Sequence, residues 1–447
     1  MTNSPPTVIE GDFIEDKNGL IFDVKGFNHP KDRAIAFIRY IPFELLRQRL
    51  LNFLHSMTES VSETENSQYT HWLEDFNDLI SSTSPNFMDS KDEIISELNR
   101  IFGFKVPDLR IRNDGRVYIK IYDLQTRFNV LSYIQPDYIF CPNNYDFPLQ
   151  AVPFNKIIRH YKPETFLSEK IADIGTLDNN FMKRLVTFKK WLEERTNMNL
   201  NGKLGLSGSL MVGLNKDQSD YDLIVYGRDS AMQIRKCIGK LIRNKKGEVM
   251  AGGVGIVHPY DYETLQKLYE VRGKNSRIPF KIFKRYEIRK QHQCLIDDTE
   301  VFLRYLEYSR EEYASNRTQD FKNNRVRTLG RISFLGKITD GSLSMFTPAK
   351  YGLIIKEIKE LKLRKEEISE ARSDQEIVSN NQLIEIHTWR GRFIEQARVG
   401  EEVFVCGKLE ETLENTKEEP AEKLNVILGG HMNDMFYPTR YDGPLQD

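Results

Sequence analysis

The sequence has little that would fix it outside a reducing compartment or inside a membrane. Its 447 residues include only four cysteines, Cys141, Cys237, Cys294 and Cys406, far apart along the chain. No two have the spacing of a zinc-ligand pair, and so sparse a set offers no disulfide framework. No apolar run approaches a membrane span, and the N-terminus lacks the basic-then-apolar order of a secretory signal. These absences give the expectation of a soluble, cytoplasmic protein with no membrane partner. Excess charge of one sign is lacking too: 64 Lys and Arg face 65 Asp and Glu, a formal net charge of -1. That balance argues against an indiscriminate polyanion binder and leaves room for a local basic face. What the chain does have is core-forming material. It is 39% hydrophobic, with 26 Phe and 20 Tyr, enough for about three globular domains at this length.

One stretch, Lys203 to Gly227, organises the rest. An apolar run, Leu204 to Leu206, ends in Ser207-Gly208-Ser209, and a short helix-capable segment leads to Ser219-Asp220-Tyr221-Asp222 and the apolar run that follows. On a strand, Asp220 and Asp222 point to the same face. Two carboxylates crowded together raise each other's pKa unless a cation sits between them. Mg²⁺ answers that problem, because it binds through one or two carboxylates plus substrate phosphate oxygens. Gly208 lets a backbone approach a phosphate, and N–H groups at a helix start near Ser209 favour an anion. Phosphate cradle, short helix and paired metal ligands together suit phosphoryl or nucleotidyl transfer.

This stretch resembles the signature of the polymerase-β-type nucleotidyltransferase superfamily, with Gly208, Ser209, Asp220 and Asp222 in the matching places. The leader from Gly11-Asp12-Phe13-Ile14 through Arg39-Tyr40 looks like the start of an uncharacterised archaeal multidomain group, in which a polymerase-β-like domain follows. The resemblance implies a nucleoside triphosphate as substrate, Mg²⁺ (or Mn²⁺) as cofactor and a hydroxyl acceptor, a nucleic-acid end among the candidates. It implies nucleotide binding for Gly208, Ser209, Ser219 and Arg304, and metal binding and catalysis for Asp220 and Asp222, a set to which strand alternation adds Glu300.

Departure from the pattern comes at Glu300 to Leu306. The superfamily supplies a third carboxylate in an apolar-Asp-apolar-Arg pattern, and Val301, Phe302, Leu303 and Arg304 occupy those places here. Phenylalanine binds no metal. Alternation puts Glu300, Phe302 and Arg304 on one face, so Glu300 offers a longer carboxylate from the neighbouring position. A second reading stays open beside the first: a nucleotide- or nucleic-acid-binding protein on the same fold, its chemistry reduced.

The expected architecture is α/β (α+β) in three parts. Residues 1–155 form an N-terminal α+β domain with a polar insertion near 56–70. Its Asp16-Lys17-Asn18-Gly19 turn joins two strands, and a third strand spans Ala34 to Ile41. Residues 163–312 form the central polymerase-β-like nucleotidyltransferase domain. There a helix from Arg277 to His292 carries Lys281, Lys284, Arg285, Arg289 and Lys290 as a basic side. Residues 325–431 form a β-rich, OB-like barrel, interrupted by a charged helical arm at 350–376, with Ile354, Ile358, Leu361 and Ile368 at helical spacing. Phe334, Phe346, Trp389 and Phe393 are read as barrel core, with base stacking the alternative. The tail, 432–447, shows no pattern. Oligomeric state is not legible.

Overall fold

The computed structural model describes residues 7–46, 108–172, 180–216, 219–273, 278–315, 324–364, 377–415 and 420–439. The polar insertion near 56–70 and the apolar spacing of Trp72, Leu73, Phe76, Leu79 and Ile80 lie outside these residues, as does most of a helix expected over Phe43 to Leu54. The described chain is a mixed α+β protein built on three sheets.

The first sheet begins with β1 (Phe13–Asp16) and β2 (Ile21–Val24), joined by the expected turn. Asp16 fixes that turn by accepting the backbone N–H groups of Asn18 and Leu20, each at 2.9 Å. Gly19 supplies the left-handed residue at φ +80°. β3 (Arg33–Pro42), β4 (Asp108–Ile111) and β5 (Val117–Lys120) extend the sheet on one side. β6 (Ile139–Phe140) and β7 (Leu149–Pro153) attach through β3. β8 (Ile157–Tyr161) pairs with β1, so this unit runs past residue 155. A helix, Leu124–Ile134, capped by the Asp123 carboxylate on Thr126 N–H, covers the core of Ile14, Phe22, Ile38 and Val130.

The central sheet holds β9 (Leu204–Leu206), β10 (Tyr221–Tyr226), β11 (Glu248–Val249), β12 (Ile256–His258), β13 (Gln293–Ile296) and β14 (Thr299–Leu306), in the order β11-β12-β13-β14-β10-β9. β10 and β14 run parallel, with Asp222 beside Phe302 and Ile224 beside Arg304. Two amphipathic helices, Asn180–Thr196 and Arg228–Asn244, bury Leu185, Phe188, Leu192, Ile234, Ile238 and Leu241 against one face. The basic helix is shorter than its charges suggest: it spans Phe280–Glu287, and the chain leaves it before Arg289 and Lys290.

In the last sheet, β15 (Asn324–Asp340), β16 (Ala349–Leu363), β17 (Leu383–Thr388), β18 (Glu402–Asn415) and β19 (Pro420–Leu428) pair in sequence as β15-β16-β17-β19-β18. β18 also pairs with β15, closing a ring of five strands. β20 (Met435–Pro438), from the stretch left unassigned, adds to β18.

One expectation fails here. The helical arm at 350–376 is a strand up to Leu363, and 365–376 lies outside the described residues. Ala349, Tyr351, Leu353 and Ile355 alternate inward, a period of two that pairing with β15 and β17 enforces. Irregular register along β15 then shifts the phase, so Ile358 and Leu361 imitate helical spacing. Residues 342–345 form a turn, and Phe346 after it, read from the sequence as barrel core, bridges to Tyr305 and packs into the central core instead. Among the described residues no helix is long and apolar enough to cross a membrane.

Candidate functional site

The site grows from the junction of β9 and β10. Leu204, Gly205 and Leu206 are buried and pair antiparallel with β10, which brings the next residues against Asp222. Ser207 N–H donates to the Asp222 backbone carbonyl at 2.8 Å, and its hydroxyl donates to the Gly11 carbonyl of the first unit at 2.8 Å. Gly208 follows at φ +70°, where a Cβ would lie 2.2 Å from the Asp222 carboxylate oxygen Oδ2. The glycine is therefore dictated by the aspartate as well as by backbone conformation. The helix after it, Gly208–Met211, is a single turn. So few aligned peptides make a weak dipole, and anion binding here falls to side chains instead of a helix terminus.

Asp222 is half-buried and Asp220, just before β10, is exposed. Burial first, and the Asp220 charge second, push the Asp222 carboxyl up to about 6, against the opposing pull of Arg304, Lys120 and Arg39. This is the repulsion expected of paired carboxylates. The pair fits a hard divalent ion that draws its other oxygens from phosphate and water. It is not a closed protein cage: among the described residues no group of three or more His, Cys, Asp or Glu is gathered to hold a metal.

Asp222, Gly208 and Ser209 line a cavity of about 120 Å³ between the central sheet and the first sheet. From β14 come Phe302 and Arg304, and from the first sheet Asp23, Arg39 and Lys120. Arg304 donates to Glu10 at 2.6 Å; burial works against its charge, but Glu10, Asp23 and Asp222 hold its pKa above the ordinary value. Arg39 donates to the Ile121 carbonyl at 2.9 Å and lies 4.9 Å over the Tyr122 ring. Lys120 sits 5.0 Å from the Tyr122 ring, and among the described residues no hydrogen bond or ion pair engages its ammonium. Burial, then Arg39 and Arg110, push that ammonium down to about 8.

The other residues singled out from the sequence are placed elsewhere. Glu300 accepts the Tyr260 hydroxyl at 2.8 Å and does not line the cavity. Ser219 is buried, accepting Lys216 N–H at 2.8 Å in the loop before β10, and lies off the cavity wall. Phe302, at the third-carboxylate position, is on that wall. Its ring meets His292 edge-on at 5.2 Å and packs so tightly on Gly391 of the last unit that a Cβ there would come within 2.8 Å. Arg289 and Lys290, read as part of a basic helical side, instead dock the five-strand ring: Arg289 on Glu401 and Lys290 on the Arg392 carbonyl. Phe334 and Phe393 are ring core, whereas Trp389 keeps a third of its surface exposed.

Sequence reasoning missed Asp23, Arg39 and Lys120. Each is an ordinary polar residue in an alternating strand, and only the docking of two sheets puts them opposite Asp222.

No family model matches the chain, and no solved structure matches it. An uncharacterized protein of Methanocaldococcus jannaschii is 23% identical over 411 residues, covering 91% of this chain and 92% of that protein. The likeness therefore extends across all three units, archaeal in its relative and silent on activity.

Proposed function

We propose that the protein is a divalent-metal-dependent nucleotidyltransferase that moves a nucleoside monophosphate from a triphosphate to a hydroxyl acceptor. The observation that carries this is the packing of Gly208 against the Asp222 carboxylate, on a cavity wall that also bears Ser209 and Arg304. Asp220 and Asp222 would hold Mg²⁺ or Mn²⁺, which supplies charge neutralisation and polarises a phosphoryl oxygen. Gly208 leaves the backbone open to a phosphate, and Ser209 presents its side chain to the same space. Arg304 is oriented by Glu10 and offsets charge on the leaving phosphates. In the reaction the acceptor hydroxyl oxygen would bond to the α-phosphorus and give up its proton to solvent, while the bond from the α-phosphorus to the bridging oxygen breaks and pyrophosphate leaves with that electron pair.

The mixed central sheet with its parallel β10–β14 pair supports the polymerase-β-type reading of that unit. The closed five-strand ring, its β17 and β19 parallel and its other pairs antiparallel, supports the OB-like reading of the last. An OB-like unit beside the site favours a nucleic-acid end as acceptor. A second reading, nucleotide binding without transfer, is favoured by Phe302 on the cavity wall and by the engagement of Glu300 with Tyr260.

Pyrophosphate release separates the two. Each ribonucleoside and deoxynucleoside triphosphate is supplied with Mg²⁺ or Mn²⁺ and total cellular RNA, beside the Asp220→Asn/Asp222→Asn protein. Transfer requires release that disappears in the double variant. Absence of release from protein that still binds nucleotide selects the binding reading.

A further inference from the structure

The first unit has no role in the reading so far, yet it contributes one whole wall of the cavity. Arg39 on β3 and Lys120 on β5 are brought together because Tyr40 and Lys120 are register partners in that sheet. The sheet is locked over Asp222 by contacts that converge on three consecutive leader residues. Arg304 meets Glu10 at 2.6 Å, Ser207 meets the Gly11 carbonyl at 2.8 Å, and Arg310 grips both Asp12 oxygens at 2.6 and 2.8 Å. Gly11 itself must be glycine: at φ +91°, a Cβ would come within 2.9 Å of Ile224 on β10. The wall is thus held in place by β14, the turn after β9 and Arg310, with Gly11 packed on the strand that carries Asp222.

Among the described residues no carboxylate forms an ion pair with Arg39 or Lys120. Asp23, the acid on that wall, is already paired with Lys25 at 2.7 Å, and Asp222 and Asp220 act on Lys120 only across the cavity, without a bond. Arg39 has a carbonyl and an aromatic face as its partners, and Lys120 has aromatic faces alone. Arg127 and Arg390 face Arg39 from the adjoining helix and from the last unit, adding to the positive field. Half-buried cations left without partners are costly unless an anion completes them. At about 120 Å³ the space is well below the roughly 300 Å³ that a drug-sized ligand needs, so it suits a phosphoryl tail with the nucleoside outside.

We propose that Arg39 and Lys120 of the first unit, on the wall facing Asp222, bind a polyphosphate in the cavity together with Arg304 of β14, which stands on the Asp222 side. The ligand class is a di- or triphosphate, and the first unit is the part of the chain that recognises it. The assignment of that phosphate to a nucleotide rests on the nucleotidyltransferase reading; the binding wall does not.

Equilibrium binding of inorganic tripolyphosphate to the full-length protein, without added metal, tests it. Lys120→Met and Arg39→Gln should each weaken binding tenfold or more, and the remaining affinity should depend less steeply on salt. Lys216→Gln, which removes an exposed cation at the same junction paired with Asp108, should leave binding unchanged. Arg39→Lys, which keeps the charge and loses the planar fork, should fall between, and matching thermal melts confirm that each variant is folded. Equal binding by wild type, Lys120→Met and Arg39→Gln, or an equal loss in Lys216→Gln, overturns the proposal. Pyrophosphate release measured on the same proteins separates the two ideas. Binding lost in the Lys120 and Arg39 variants, with no release from any protein, keeps the wall and removes the transferase. Release that continues with tripolyphosphate binding unaltered removes the wall and keeps the transferase.

Discussion

The central sheet makes two contacts of the same chemical kind, and they differ in what they leave over. Towards the five-strand ring, Glu395 accepts Arg235 at 2.5 Å, Gln291 N–H at 2.6 Å and His292 at 3.0 Å, while Arg289 pairs with Glu401 at 2.5 Å. Lys290, fully buried, donates to the Arg392 carbonyl across that boundary at 2.7 Å and pairs with Glu287 of its own unit at 2.8 Å. Towards the first sheet, the leader pairs are equally close, but they enclose a cavity in which Lys120 has no ion pair among the described residues and Asp222 carries a carboxyl pushed up to about 6. Where charged groups are matched across a boundary, the boundary is a seam. Where both signs are brought close and left unmatched, the folding cost persists only if something else uses those groups.

The largest test of that contrast is on the seam. Glu395→Ala leaves buried His292 and Arg235 without their acceptor, and roughly 3–5 kcal/mol of stability should be lost in urea unfolding. A loss under about 1 kcal/mol would show that the seam contributes little. Acid probes the same group. Burial alone would raise the Glu395 carboxyl, but His292 and Arg235 outweigh it and hold it down to about 2, below its ordinary 4.5. A carboxyl depressed in the folded state stabilises above its unfolded pKa. That stability drains away as pH falls from about 4.5 through 2. Melting temperatures of Glu395→Gln should fall less steeply than those of wild type across this window.

Next in size is Gly208→Ala. The left-handed backbone costs about 1–2 kcal/mol for a residue with a Cβ, and the added methyl also displaces the Asp222 carboxylate. Stability should drop by about that amount while divalent-ion affinity falls further than the fold does. An unaltered affinity would place the metal away from Asp222. The smallest effect belongs to Lys120→Met. Removing a half-buried cation that makes no ion pair among the described residues should leave the melting temperature unchanged or slightly raised, in contrast to Glu395→Ala. A fall of several degrees would mean that the ammonium is a structural member after all.

Much of the scaffold was legible locally. Asn18-Gly19 places a hairpin, the 3.6-residue period of Ile234, Ile238 and Leu241 marks a helix, and the apolar run into Gly208 followed by Asp220 and Asp222 marks the site. Ile354, Ile358 and Leu361 misled because register shifts inside a long strand pair copy a helical period, and that irregularity is a property of two strands at once.

The sequence by itself put forward the acidic half of the candidate site: alternation pairs Asp220 with Asp222, and in the structure Asp222 lines the cavity while Asp220 sits just before the strand, off its lining. Only the tertiary structure decided the cationic half. Arg39 and Lys120 lie about eighty residues apart and a hundred or more from Asp220 in the chain, with no pattern linking them. Their meeting depends on strand register within one sheet and on the docking of that sheet through Glu10, Gly11 and Asp12. Glu300 was assigned by alternation alone, which sets the face of a strand but not the neighbour across it. Tyr260 stands there and takes the carboxylate.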